Sequence, residues 1–194
     1  MIMKLFDLLK KEELHLFEIN NYCSSEVIFH EHDLCDVVGY VIEGNVNIVS
    51  YGKNGEERII SQIFKGQFFA NALIFSKNPY YLGEIIAGKN TSIAFISKEN
   101  LIKLLQINKD FLSFYLNLMS EKTIYLNTRS KLLAHKNIRE RILYYLEMNN
   151  GEVKSNITIL SKEIILPRPS VSREIQRMID DKLIIKNKKS IKLK

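Results

Sequence analysis

NITILSKEIILPRPSVSREIQRMIDDKLIIKNKKSIKLK, residues 156–194, decides the fold. Its apolar residues first recur at helical spacing, with Ile157, Leu160 and Ile164 on one side and Asn156 placed to cap. A tight turn follows, and a second helix starts near Arg168 with Pro169 in its first turn, where a missing N–H costs nothing. That helix buries Val171, Ile175, Met178 and Ile179. Its other face presents Arg168, Ser170, Arg173 and, one turn on, Arg177. The chain then alternates as a short basic hairpin, Ile184-Ile185-Lys186 to Ile191-Lys192-Leu193, crossed by Asn187-Lys188-Lys189-Ser190. Two arginines and small hydroxyls on one half of a helix suit the major groove, where Arg donates twice to guanine O6 and N7. Solvated arginines on a surface helix would look the same. The hairpin tips the balance, because a basic wing beside such a helix would lie on phosphates.

Charge points the same way. Residues 1–136 hold 15 Lys/Arg and 15 Asp/Glu, whereas residues 137–194 hold 13 and 7, so the whole net charge of +6 sits in the last third. A basic domain attached to a neutral one is what phosphate-backbone binding requires. Immediately upstream, NIRERILYYLEM (137–148) reads as an amphipathic helix burying Ile138, Ile142, Leu143, Tyr145 and Leu146, and Asn149-Asn150-Gly151 ends it. Farther upstream, apolar pairs recur seven residues apart: Phe111/Leu112, Leu118/Met119, Tyr125/Leu126 and Leu132/Leu133. That spacing predicts one long helix with two apolar rows. One row would pack on its own domain and the other on a second copy of the chain.

From Cys23 to about Phe95 the pattern changes to short apolar runs, as in VVGYVIEGNVNIVSYGKNGEERIISQIFKGQFF (37–69) and GEIIAGKNTSIAFI (83–96). Gly39, Gly44, Gly52, Gly55, Gly66, Gly83 and Gly88 mark the turns. Strands at this spacing predict an antiparallel sandwich or small barrel, with Lys53-Asn54-Gly55 as a hairpin turn and Val46 and Ile48 sharing a face. The N-terminal stretch MIMKLFDLLKKEELHLF (1–17) reads as an amphipathic helix, not a signal peptide. No run approaches the roughly 18 apolar residues of a membrane span. Cys23 and Cys35 lack CxxC spacing, so a reducing cytoplasm is the expected location.

The chain resembles the Crp/Fnr family of regulators, in particular its clostridial-type members. The resemblance is carried by VIFHEHDLCDVVGYVIEGNVNIV (27–49), GQFFANALIF (66–75), AFISKENLIKLLQ (94–106), NIRERILYYL (137–146) and RPSVSREIQRM (168–178). It implies that Arg168, Ser172 and Arg173 contact bases and that Ser170 contacts the backbone. Two departures stand out. Pro169 replaces a glutamate that in many relatives accepts from a cytosine amino group, and Ile165 and Pro167 stand where relatives often have a Gly turn and a Ser cap. In the sensor, the resemblance places the ribose-binding Gly-Glu pair at Phe69-Ala70-Asn71-Ala72, which has neither residue. The phosphate-binding Arg falls in Tyr80-Tyr81-Leu82-Gly83-Glu84-Ile85, which has no arginine and offers the carboxylate of Glu84. Control by cyclic AMP is therefore not expected. Two cysteines cannot supply the four that an iron–sulfur sensor needs. Phe69, Asn71, Tyr81 and Glu84 remain the candidate effector pocket, with aromatics such as Phe68, Phe75 and Tyr80 either lining it or simply filling the barrel.

The expected architecture is α+β: an N-terminal antiparallel β-barrel or jelly roll (1–107), a long dimerisation helix (108–136) and a C-terminal winged helix-turn-helix (137–194). The expected DNA-binding residues are Arg168, Ser170, Ser172, Arg173, Arg177, Lys188 and Lys189. The expected partners are double-stranded DNA and a second copy through helix 108–136, with RNA polymerase and an unknown small-molecule effector as further candidates. No cofactor or membrane is expected. A competing reading makes the β part a cupin-like metal- or small-molecule-binding module, or an enzyme, with His30 and His32 two apart on one strand face as ligands. No third ligand is placed by spacing, and no Ser/His/Asp, Cys/His or paired-carboxylate constellation is visible. A third reading keeps a small-molecule module whose DNA domain is vestigial.

Overall fold

The short apolar runs upstream of Lys98 pair as strands: β1 (Glu18–Tyr22), β2 (Val27–Phe29), β3 (Val37–Glu43), β4 (Asn45–Tyr51), β5 (Glu57–Phe64), β6 (Phe68–Phe69), β7 (Glu84–Ala87) and β8 (Thr91–Ser97). They form two four-stranded antiparallel sheets, ordered β1-β8-β3-β6 and β2-β7-β4-β5. This computed structural model describes residues 5–52, 54–187 and 189–194. The chain divides into two compact units, Met1–Met119 and Ser120–Lys194. Val38, Val41, Val46, Ile85, Ile93 and Phe95 make the heart of the first unit, with Ile48 packed against it. Alternation along β4 therefore holds for Val46 and Ile48.

Gly39 does not mark a turn; it lies inside β3. An added Cβ there would come within 2.1 Å of Cζ of Phe69, so the missing side chain makes room for that ring. The β4–β5 hairpin closes through Gly52 N–H to the Glu56 carbonyl and Gly55 N–H to the Gly52 carbonyl, both 2.9 Å, with Gly55 at φ +79°. Lys53, which the hairpin expectation included, lies outside the described residues. His30 and His32 are not on a strand. They occupy a turn after β2 in which Asp33 Oδ2 accepts from the His30 N–H at 2.8 Å and His32 takes φ +72°.

The amino-terminal segment is not one amphipathic α-helix. Its described part forms two 3-10 turns, Leu5–Leu8 and Lys11–Leu16, and residues 1–4 lie outside the described set. Lys10 is extended between the turns because the Glu13 carboxylate folds back to accept its N–H at 2.9 Å. Glu13 is thereby buried and meets Asn108, whose Nδ2 donates to Glu13 Oε2 at 2.7 Å and to the Leu8 carbonyl at 3.0 Å.

Asn108 separates two helices. Helix α1 (Lys98–Ile107) is capped by Ser97, whose hydroxyl accepts from the Asn100 N–H. Helix α2 (Lys109–Ala134) is capped by Asn108, whose Oδ1 accepts from the Phe111 N–H at 2.9 Å. Phe111 and Tyr115 on the first turns of α2 complete the core of the first unit.

In the second unit follow α3 (Ile138–Met148), β9 (Glu152–Val153), α4 (Ile157–Glu163), α5 (Arg168–Asp180), β10 (Ile184–Lys186) and β11 (Ile191–Leu193). The strands form one sheet, β10-β11-β9. Ile142, Leu146, Leu160, Ile164, Val171, Ile175, Met178, Ile184 and Ile191 make a single core under it, joined by Leu132 from α2. Helix, turn, helix and hairpin thus stand where the sequence places them, and β9 adds a two-residue strand too short to carry a pattern. Among the described residues no helix is long and apolar enough to cross a membrane.

Asn108 both caps α2 and satisfies a buried carboxylate. Asn108→Ala is expected to lower stability by about 2–4 kcal/mol, summing a lost cap and a buried acceptor left short of a donor. Urea unfolding measures this, and a loss under about 1 kcal/mol would show that Glu13 is satisfied without it.

Candidate nucleic-acid interface

The helix-turn-helix is set by its caps. Asn156 Oδ1 accepts from the Ile159 N–H at 3.0 Å and starts α4. At the other end the Leu166 N–H reaches the Ser161 carbonyl (2.9 Å) and the Ile165 N–H reaches that of Lys162 (3.3 Å), the paired closure of a Schellman motif. Ile165 takes the left-handed conformation this motif needs, φ +57°, although a β-branched residue is strained there. Pro167 then begins α5 without a side-chain cap, its carbonyl accepting from the N–H groups of Ser170 and Val171 at 3.0 and 3.1 Å.

Val171, Ile175 and Met178 are fully buried, and Ile179 is half-buried beside them. With those side chains pointing inward, Pro169, Ser172, Arg173, Gln176 and Arg177 are exposed. Arg168 is exposed at the helix start and Ser170 half-buried. Arg168 borders a cleft of about 350 Å³ with Ser155, Asn156, Thr158, Lys186 and Asn187. Lys189 and Ser190 border a neighbouring cleft with Lys154 and Ser155. Lys188 lies outside the described residues. The fold therefore brings Arg168 together with the wing, while Ser172 and Arg173 stand on the outward face. Among the described residues neither Arg168 nor Arg173 has an acidic group within ion-pair distance. Arg177 differs, since its Nη1 lies 3.5 Å from Glu174 Oε2.

Several contributors were not expected from sequence. Arg139 on α3 donates from Nε to Glu174 Oε1 (2.6 Å) and from Nη1 to Asp181 Oδ2 (2.7 Å), tying the middle and the C-terminal end of α5 to α3. Those hydrogen bonds, to Glu174 first, raise the guanidinium pKa further. Arg141 is buried, and its guanidinium donates only to carbonyls: to His135 from Nε (3.2 Å) and Nη2 (2.7 Å), and to Ile164 from Nη1 (3.3 Å). Its signal was a charge three residues after Ile138, on the apolar side of α3. Ser155 and Thr158 flank the Asn156 cap, a polar run that reads only as a helix start until the wing is folded over it.

In the sensor, Phe69 and Tyr81 are core residues. Phe69 packs edge-on to Phe95, and Tyr81 stacks on Phe29 with centroids 4.7 Å apart. Tyr81 Oη is buried without a hydrogen-bond partner, and burial lifts its pKa far above the tyrosine range and raises the nearby Cys35 thiol too. Asn71 is buried, its carbonyl accepting from Tyr115 Oη at 2.8 Å and its Nδ2 facing Met119 Sδ at 3.3 Å. Burial pushes Tyr115 up to about 12. Glu84 lies apart from these. It faces His30 Nδ1 at 3.3 Å and accepts from Tyr51 Oη at 3.0 Å, which raises the Tyr51 pKa. Among the described residues no three His, Cys, Asp or Glu side chains gather as metal ligands would.

Arg141 carries the strongest geometric prediction. Arg141→Ala is expected to destabilise the protein by about 2–4 kcal/mol, because charge-assisted bonds to two buried carbonyls are lost. Arg141→Lys, with one ammonium for two separate acceptors, recovers less than half. Thermal and urea unfolding read both, and an unchanged Arg141→Ala midpoint would remove Arg141 from this role.

Residues 19–108 match the family model of the cyclic nucleotide-binding domain. The chain is similar to the cAMP-activated global transcriptional regulator CRP of Pasteurella multocida, 29% identical over 48% of this chain and 45% of that protein, less than half the relative's length. Its likeness to the protein of the same description from Salmonella typhimurium is 21% but runs over 89% of this chain and 88% of the other. The Catabolite Activator Protein of Thermus thermophilus shares the fold, with a TM-score of 0.57 and 19% identity over 98% of this chain and 93% of that one. The β-sandwich, the long helix and the winged helix-turn-helix thus form one matched series: residues 19–108 match the cyclic nucleotide-binding domain, and over most of its length the chain is similar to transcription regulators of the Crp/Fnr type.

Proposed function

We propose that the protein is a sequence-specific DNA-binding transcription regulator that reads a palindromic operator as a homodimer in the cytoplasm, without control by cyclic AMP. The observation that carries this reading is the outward face of α5, where Arg173, Ser172 and Arg177 are exposed while Arg168 meets the basic wing in one cleft. Arg168, Ser172 and Arg173 take the base edges, Ser170 a phosphate, and Lys189 with Lys188 the backbone beside the groove. Arg177, whose side chain is 71% exposed, joins the phosphate contacts by swinging away from Glu174, which keeps its bond to Arg139.

Dimerisation is supported by α2. Phe111 and Leu132 of one apolar row are buried although Tyr125 between them is 51% exposed, while Leu126 and Leu133 of the other are 56% and 51% exposed, with Leu116 at 56%. Leu112, Leu116, Met119, Thr123, Leu126, Ser130 and Leu133 follow alternating steps of four and three, the spacing of a coiled-coil seam. Independence from cyclic AMP is supported by the sensor. The segment that resemblance aligns with the phosphate-binding arginine instead buries Tyr81 on Phe29 and holds a carboxylate, Glu84. A buried phosphate needs a cationic, preferably bidentate partner. RNA polymerase is the further partner that a regulator's role implies.

Selection of bound sequences from random duplex DNA tests the whole reading. It should return a palindrome with half-sites about one helical turn apart, binding that weakens steeply with salt, and no change on adding cyclic AMP. Arg173→Ala should erase the preference at the position it reads in each half-site, whereas Lys189→Ala should weaken all sequences alike. Equal losses for both on all sequences would reduce Arg173 to a phosphate contact.

For the dimer, Leu126→Glu places a charge on the exposed row of α2. Sedimentation should then show a monomer, and affinity for the palindrome should fall at least about tenfold while a single half-site is bound as before. A dimer that persists in this variant would move the interface elsewhere.

A further inference from the structure

Gln176 stands on the outward face of α5, seven residues beyond Pro169 and one turn beyond Arg173. Seven residues turn an α-helix to within about 20° of two full turns, so Pro169 and Gln176 share one stripe. Both are exposed. Pro169 offers no polar side-chain atom, so the stripe has no hydrogen-bonding group at its start. Gln176 supplies one farther along, displaced by about 10 Å of helix, or about three base pairs.

The orientation of that amide is fixed. Gln176 Nε2 donates to Asp180 Oδ1 at 3.0 Å. An ionised carboxylate only accepts, so the amide must turn its NH₂ toward Asp180 and leave Oε1 as the free acceptor. On the major-groove edges of DNA the groups that donate to such an acceptor are the N4 amino of cytosine and the N6 amino of adenine. Guanine and thymine offer acceptors there and would oppose it.

We propose that Gln176 is a specificity-determining residue of the recognition helix, its Oε1 accepting from the amino group of an adenine or cytosine in each half-site, with Asp180 as the positioning residue that sets the amide. The proposal rests on the DNA-binding reading and deepens it. A Gln–Asp pair four residues apart also supports a helix by itself, and the two roles differ in what mutation does to sequence preference.

The test is selection of bound DNA by the full chain in four forms: wild type, Gln176→Ala, Asp180→Asn and Arg173→Ala. Gln176→Ala is expected to keep its circular dichroism, its salt-dependent binding and the positions lost in Arg173→Ala. At one further position per half-site it should lose an about 2- to 10-fold preference for adenine or cytosine, the worth of a single hydrogen bond. Asp180→Asn can accept or donate, so the amide is free to turn over, and the same position should broaden to admit guanine and thymine. A Gln176→Ala profile unchanged at every position overturns the proposal, as does a uniform loss on all sequences, which would make Gln176 a backbone contact. An Asp180→Asn profile unchanged at that position removes Asp180 from the role. A wild-type chain that binds no sequence at low salt overturns the DNA-binding reading itself, and is distinguished by failing before any variant is compared.

Discussion

One buried guanidinium joins three helix ends in the carboxyl-terminal unit. Arg141, on α3, donates to the carbonyl of His135, just past α2, and to that of Ile164, where α4 closes. Carbonyls at helix ends carry partial negative charge and lack partners within the helix. The cation is therefore stabilised without a carboxylate. A carboxylate would tie Arg141 to one point, whereas two carbonyls from separate segments fix two helix ends against a third. Because the turn into α5 begins at Ile164, the direction of α5 rests on this bond set and on the apolar core beneath it.

The same unit sorts its charges by where they are needed. Glu174 and Asp181 engage Arg139 on the flank of α5, and Glu174 also draws Arg177. The acids that would otherwise offset the outward arginines are thereby turned toward α3. Arg168 and Arg173 keep their full charge facing out, and Lys186 and Lys189 line the wing side. A formal excess of positive charge over 137–194 is a statement about composition. The geometry adds that two of the segment's acids, Glu174 and Asp181, are engaged by Arg139.

Periodicity made the carboxyl-terminal half legible because each of its elements is amphipathic at its own period. Val171, Ile175 and Met178 specify α5, and Ile184 and Ile191 specify the hairpin. The sensor was legible as strands but not in detail. Gly39 reads as a turn because a glycine in a strand has no local signature; only Phe69, thirty residues on, explains it. His30 and His32 read as one strand face because alternation does not reveal that the strand ends at Phe29. The N-terminal stretch has a helical apolar pattern, yet Glu13 is drawn inward by Asn108, nearly a hundred residues away. On α5, Arg168, Ser172 and Arg173, singled out by resemblance, are exposed. Arg139 and Arg141 were not legible in the sequence, because their partners lie on other elements and a lone charge within an apolar pattern does not say which carbonyl or carboxylate it meets.

The β-sandwich is linked to the start of the long helix by hydrogen bonds as well as by apolar packing. The loop that resemblance aligns with ribose binding contains Asn71, whose carbonyl accepts from Tyr115 and whose amide faces Met119, both on α2. Ala70, beside it, takes φ +61°, a left-handed conformation that costs a residue with a Cβ about 1 kcal/mol and is held by its surroundings. Phe111 and Tyr115 complete the sandwich core, and Asn108 fastens the start of α2 to the amino-terminal turns. The long helix is thus anchored by the β-sandwich at its first three turns. Phe69 and Tyr81 belong to the same buried core as Phe111 and Tyr115, so the packing that holds the two sheets together also holds the first turns of the helix.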